Sequence, residues 1–273
     1  ARRRGTRGRA AGVMLDSITP VVLTWNEAAN LERTLGALTW ARRVVVLDSG
    51  SSDDTGRIAR SFPNVDLQVR AFDDHARQSN FALDTLLEGA PWTMFLDADH
   101  VLTPELVAEI ARLEPPVPTS GYRARFRYCV DGRPLRGTLY PDRVVLFRPE
   151  RGRFEQEGHA HWLRLQGAIG ELRGYALHDD RKPRQQFVAT QRKYARMEAR
   201  WLASQPFSSL GRADRARRLL VVAPWAAPLF ALFLRGVVLD GLAGWRYAAE
   251  RALAESFIAR ELFALYFGKQ RAP

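Results

Sequence analysis

The chain has 273 residues, 46% of them hydrophobic, which is ample for a buried core and excludes global disorder. Its one cysteine, Cys129, excludes an intramolecular disulfide and a cysteine-built zinc site, and a reducing compartment is the natural expectation. A net charge of +11 favours anionic partners such as phosphorylated substrates or anionic lipid; the aromatic or Cys/His patterns of nucleic-acid-binding motifs do not occur, so no nucleic acid partner is expected.

Residues 1–16 begin with an arginine- and glycine-bearing stretch that reads as a basic flexible tail, without the apolar run of a signal peptide. Val21 to Thr24 is an apolar run, and Pro20, which has no amide proton, predicts a strand starting at or after it. Leu31, Leu35 and Leu38 fall at i, i+4 and i+7 and predict a helix over 27–38. A strand at 44–47, a turn-rich stretch, a helix ending near Arg60, a strand at 65–71, a helix at 75–87 and a strand at 92–96 follow. Thr103-Pro104-Glu105 is a helix start, with a capping hydroxyl, proline at the first position and an acid in the first turn.

Alternating strands and helices imply an α/β fold with a mostly parallel sheet covered on both faces, and ligands in such sheets bind beyond the carboxyl ends of the strands. Three polar clusters fall at those ends: Thr24-Trp25-Asn26-Glu27, Asp48-Ser49-Gly50-Ser51 and Asp97-Ala98-Asp99. Asp97 and Asp99 are two residues apart. Unpaired carboxylates so close repel, and a hard cation, Mg²⁺ or Mn²⁺, shared with substrate phosphates resolves the conflict.

A proline-rich linker at 114–118 leads into strand-like segments at 122–130 and 143–147, which flank the turn Asp131-Gly132. A further strand pair is expected between 162 and 177, around Gly167 and Gly170, and a long helix at 185–202. Residues 219–234 are nearly all apolar but contain Pro224 and Pro228. At about 16 residues the run is shorter than the roughly 20 needed to span a bilayer. Arg215, Arg217 and Arg218 before it and Arg235 after it predict a segment lying in the membrane interface with its arginines on anionic headgroups; a buried pair of core helices is the alternative. An amphipathic helix at 245–267 follows. The expected division is a tail at 1–16, a catalytic domain at 17–214 and a helical, membrane-interfacial segment at 215–273.

Four pieces, Leu23-Thr24-Trp25-Asn26-Glu27, Val46-Leu47-Asp48-Ser49-Gly50-Ser51-Ser52-Asp53, Gln78-Ser79-Asn80-Phe81-Ala82-Leu83 and Leu96-Asp97-Ala98-Asp99, occur in an order and spacing that resemble the family 2 glycosyltransferases with a GT-A fold. Tyr140-Pro141-Asp142, Leu146-Phe147-Arg148 and His178-Asp179-Asp180-Arg181 extend the likeness, which is greatest to bacterial enzymes building lipopolysaccharide core or other lipid-attached glycans. The resemblance implies a nucleotide-sugar donor, UDP-linked first, and a glycan or lipid-linked acceptor. It also implies a peripheral location at the cytoplasmic face of the inner membrane.

In that frame Thr24, Asn26 and Glu27 line the base and ribose pocket, Asp48 accepts from base or ribose, and Ser49 belongs to the close-approach turn. Asp53 caps the next helix. Asp97 faces ribose or metal, Asp99 binds the metal, and His178 is a third metal ligand. The look-alikes carry a lysine where this chain has Ser79, beside Asn80, so Arg77 is the candidate charge for the diphosphate. In-line displacement inverts the anomeric configuration and needs a base across from the leaving group. Glu157, His159 and Asp180 are the candidates. The rival readings are a nucleotidyltransferase, which would need a glycine- and basic-rich triphosphate loop at the first strand, and a non-catalytic membrane-associated adaptor on the same scaffold.

Overall fold

A computed structural model describes residues 14–158 and 160–268. Most of the expected basic tail and the candidate base His159 lie outside the described residues. The chain divides into two compact units: 1–129 with 140–155 and 162–181, and 130–139 with 156–161 and 182–273.

The strands are β1 (Ile18–Thr24), β2 (Val44–Asp48), β3 (Val65–Val69), β4 (Trp92–Asp97), β5 (His100–Leu102), β6 (Thr119–Val130), β7 (Arg133–Pro134), β8 (Arg143–Phe147), β9 (Gly152–Glu157), β10 (Ala160–Leu165) and β11 (Ala168–His178). The main sheet runs in the order β3-β2-β1-β4-β8-β6-β11-β5. β1, β2, β3 and β4 are mutually parallel, β8 is antiparallel to β4 and β6, and β11 is parallel to β6. The α/β class and the mostly parallel sheet are as the sequence implied.

Both faces of the first unit's sheet are covered because its central strands are apolar on both sides. Val22, Val44, Val46 and Met94 face Leu31, Leu35, Leu38, Leu106 and Ile110. Val21, Val45 and Leu47 face Ala82, Leu83, Leu87, Phe147 and Phe154. The first helix is shorter than its leucine spacing suggested, Leu31–Gly36, because residues 28–30 form turns. Thr103 caps Pro104–Ile110 as read, its Oγ1 accepting from the Leu106 amide at 3.3 Å.

Three expectations are corrected. β1 starts at Ile18 and contains Pro20; this is tolerated because pairing to β2 begins only at Val21, leaving one flank of Pro20 unladdered. β10 and β11 are not partners around Gly167: β10 pairs with β9, and β11 joins the main sheet. β5, three residues long, carries too little pattern to be seen in sequence, and it pairs antiparallel with the end of β11.

In the second unit the helix Arg184–Ser204 packs on Leu242–Phe267 through Ala195, Ala199, Leu202, Ile258 and Leu262. Arg217 there is held by Glu255 at 2.8 Å and Asp214 at 2.9 Å, with Glu198 at 3.5 Å. These acids raise its pKa against the effect of burial. Leu35, 1% exposed in the first unit's core, provides the test of this packing. Leu35→Ala is expected to cost about 2–5 kcal/mol in urea unfolding without changing the folded far-UV spectrum.

Candidate active site

The parallel register puts the functional residues side by side. Thr24 stands opposite Asp48 and Leu23 opposite Asp97, so three strand tips end on one edge. Asp48 is 5% exposed and fully engaged by the loop it opens. Its Oδ1 accepts from Thr24 Oγ1 at 3.0 Å and from Ser51 Oγ, and its Oδ2 accepts from the amides of Gly50 at 3.2 Å and Ser51 at 2.9 Å. Gly50 has φ +86°, a conformation that favours glycine.

Asn26 adopts a left-handed conformation with φ 54° and locks the first loop onto the second. Its amide donates to Ser51 Oγ at 2.8 Å, and its Oδ1 accepts from the Ser52 amide at 2.8 Å. The Glu27 amide donates to Thr55 Oγ1 at 2.7 Å, and the Ala28 amide to Asp53 Oδ2 at 3.1 Å. Asp53 also accepts from the Thr55 amide at 3.0 Å. Burial raises its pKa, but the Thr55 and Ala28 bonds outweigh it and leave the carboxyl below its ordinary value. Ser49 accepts from buried Gln78 at 3.0 Å. Thr24, Asn26, Glu27, Asp48 and Ser49 therefore form one preorganised double loop.

The second cluster is the acidic corner. Asp99 Oδ2 lies 3.2 Å from His178 Nε2, and Asp97 Oδ2 lies 3.5 Å from His100 Nε2. Donor atoms of Asp99, His100 and His178 are all within 4.8 Å of one another. The Asp97 amide donates to His100 Nδ1 at 3.1 Å, which leaves the ring proton on Nε2, 3.2 Å from the Tyr140 hydroxyl. Burial pushes the His100 pKa down to about 4 against the pull of Asp97 and Asp99. For His178 burial acts in the same direction, but the attraction of Asp99 prevails and its pKa is raised.

The donor atoms gathered here are those of Asp99, His100 and His178, a set that could hold a divalent cation, and Asp97 borders them through His100 Nε2. Carboxylate oxygens and an imidazole nitrogen are donors that Mg²⁺ or Mn²⁺ accepts; His178 Nε2 faces Asp99, and its Nδ1 is buried with no hydrogen-bond partner among the described residues. His100, with both ring nitrogens engaged, orients the corner instead. Asp180 is tied to the first loop through Asn30, which is 0% exposed. The Asn30 amide nitrogen donates to Glu27 and to Asp180, both at 2.8 Å, and its Oδ1 accepts from the Arg181 amide at 2.8 Å. The Asp179 amide donates to the Asp99 carbonyl at 2.9 Å.

The diphosphate candidates lie differently. Arg77 is exposed and paired with Asp74 at 3.3 Å. Ser79 is buried and returns its hydroxyl to the His75 carbonyl at 2.9 Å. Asn80 is spent on the β9 backbone, donating to the Phe154 carbonyl at 2.9 Å and accepting from its amide at 3.0 Å. Glu157 ends β9 and belongs to the second unit.

Asn30, His100, Tyr140 and Gln78 were not identified as site residues from the sequence. The direct succession Asp97-Ala98-Asp99-His100 could have flagged His100. Asn30 before a leucine-spaced run reads as a helix cap, yet its side chain makes no capping bond.

Residues 19–126 match the family model described as Glycosyl transferase family 2, which identifies that stretch as a family 2 glycosyltransferase segment, the resemblance its motifs carry. The lipopolysaccharide core biosynthesis glycosyltransferase LpsC of Rhizobium meliloti (strain 1021) is 24% identical over 272 residues, covering 93% of this chain and 94% of that protein. An uncharacterized glycosyltransferase of Rickettsia bellii is 33% identical over 99 residues, 36% of this chain and 33% of that one. Among solved structures, glucosyl-3-phosphoglycerate synthase of Mycobacterium tuberculosis, in complex with Mn²⁺, uridine diphosphate and glucosyl-3-phosphoglycerate, aligns with TM-score 0.47 and 17% identity, over 72% of this chain and 84% of that one.

The different uses of Asn80 and Arg77 can be separated by measurement. Asn80→Ala is expected to lose about 1–3 kcal/mol of stability by stranding the Phe154 amide and carbonyl. Arg77→Ala, on an exposed pair, is expected to stay within about 0.5 kcal/mol of the parent in the same denaturation series.

Proposed function

We propose that the protein is a metal-dependent inverting glycosyltransferase. It moves a sugar from a nucleotide-sugar donor, UDP-linked first, to a hydroxyl of a glycan or lipid-linked acceptor in cell-envelope glycan synthesis. One observation carries the reading: donor atoms of Asp99, His100 and His178 gather within 4.8 Å of one another, with Asp97 bordering them through His100, next to the strand tips that carry the preorganised loop of Thr24, Asn26 and Asp48. The similarity to LpsC along nearly all of both chains supports the acceptor class.

The double loop provides backbone and hydroxyl groups for base and ribose, fixed before the donor arrives, so little ordering cost remains at binding. Asp97, Asp99 and His178 would hold Mg²⁺ or Mn²⁺, which supplies positive charge toward the diphosphate when bound. His100, neutral and buried, keeps the Asp97 backbone and Tyr140 in place. Asp180, oriented by the Asn30 amide, is the base candidate within the first unit; Glu157 and His159 are the others. The base must take the acceptor's proton on the side opposite the leaving group.

The same reading places the reaction at the cytoplasmic face of the inner membrane. No helix among the described residues is long and apolar enough to cross a membrane. The segment around the helix Val222–Leu229 nonetheless leaves Trp225 74% and Leu242 89% exposed, with Phe233 and Leu234 between them also exposed. Arg217 is committed to Glu255 and Asp214, so the headgroup role falls to Arg215 and Arg235, which have no carboxylate partner among the described residues.

With Mn²⁺ and a panel of UDP-, GDP-, ADP- and dTDP-sugars, calorimetry is expected to find one donor bound in a metal-dependent way, at least about tenfold weaker in Asp99→Ala. Metal-independent binding untouched by the substitution rejects the mechanism. In a second assay, Trp225→Glu with Phe233→Glu is expected to abolish co-sedimentation with vesicles containing phosphatidylglycerol. Unchanged sedimentation rejects the membrane location.

A further inference from the structure

Arg143 lies beside this site and has no carboxylate counter-ion among the described residues. It opens β8, opposite Ala124 of β6. Its guanidinium carbon stands 5.4 Å from the ring centroid of Tyr140 and 5.8 Å from that of Trp162. Its Nε is buried and has no hydrogen-bond partner, and no carboxylate lies within ion-pair distance of it among the described residues. Tyr140 in turn touches His100, whose Nε2 lies 3.5 Å from Asp97 and 3.9 Å from Asp99.

A half-buried guanidinium is costly without an anion. Arginine cannot relieve that cost by losing its proton. The two aromatic rings offset part of it and hold the planar fork in one orientation. What they do not supply is an oxyanion, for which the fork is shaped.

The charge balance at the acidic corner points to the same partner. A divalent cation, if held at this corner, would be formally neutralised by Asp97 and Asp99. A nucleoside diphosphate leaving group then still lacks positive charge. Ser79 supplies none, and Arg77 is exposed and already paired with Asp74.

We propose that Arg143 binds the diphosphate of the donor and stabilises its departure as the glycosidic bond to the leaving oxygen breaks and that oxygen takes the electron pair. The inference rests on the donor reading above and adds the residue that completes its leaving-group site.

The test is calorimetric titration of the full chain and of Arg143→Met and Arg143→Lys with UDP, GDP, ADP and dTDP in Mn²⁺, and with the corresponding nucleosides. The expected result is that Arg143→Met binds the preferred nucleoside diphosphate at least about tenfold more weakly and the nucleoside unchanged. Arg143→Lys, which keeps charge but not the fork, should fall between the two. If Arg143→Met does not melt cooperatively, Arg143→Lys decides: a loss of about threefold or more upholds the proposal, and parental affinity overturns it. Equal diphosphate affinity in parent and Arg143→Met also overturns it while leaving the donor reading intact. A parent chain that binds none of the four diphosphates overturns the donor reading itself.

Discussion

The register of β1 between β2 and β4 is the constraint on which the site depends. Because Thr24 lies against Asp48 and Leu23 against Asp97, the three chain segments leave the sheet at one edge. A slip of one residue in either pairing would exchange the two faces of a strand, and both faces here are packed against helices. Val21 and Val22, adjacent in sequence, belong to opposite cores and are each 0% exposed. The apolar packing therefore fixes the position of the polar tips, although it shares no atoms with them.

Gathering acids at that edge requires compensation, and the chain supplies it with buried polar groups of its own. Asp48 is satisfied by a hydroxyl from the neighbouring strand and by the amides of its own loop. Glu27 and Asp180 share the amide of Asn30, and Arg33 donates to the Asp179 carbonyl at 2.8 Å. At the corner itself His100 stays neutral and uses both ring nitrogens, while Asp99 pairs with His178 Nε2. Such networks are stabilising only when every member is satisfied. Among the buried polar atoms of the described residues that make no hydrogen bond, His178 Nδ1 belongs to the acidic corner and Arg143 Nε lies beside Tyr140, which touches that corner.

The positive charge of the chain is divided between two kinds of use. Some arginines are structural, as Arg217 is among Glu198, Asp214 and Glu255. Others, such as Arg143 between its rings and Arg235 over Phe230, carry charge that no carboxylate among the described residues answers. A net charge says that anions are favoured partners, but not which cations remain to meet them.

The sequence by itself determined the α/β class, the strand tips and the residues placed on them, because strand runs and helix periods are local patterns and Asp97-Ala98-Asp99 is contiguous. Thr103 as a cap and Gly50 in its turn were legible for the same reason. Strand partners were less so: β10 and β11 are neighbours in sequence that pair elsewhere, and β5 is too short to carry a period. Only the tertiary structure decided that Asn30, 150 residues from Asp180, holds it, that Asn80 serves β9, and that Arg143 stands unpaired beside Tyr140. These facts depend on which distant groups arrive at hydrogen-bond distance. That is a property of packing, and one chain's local pattern does not contain it.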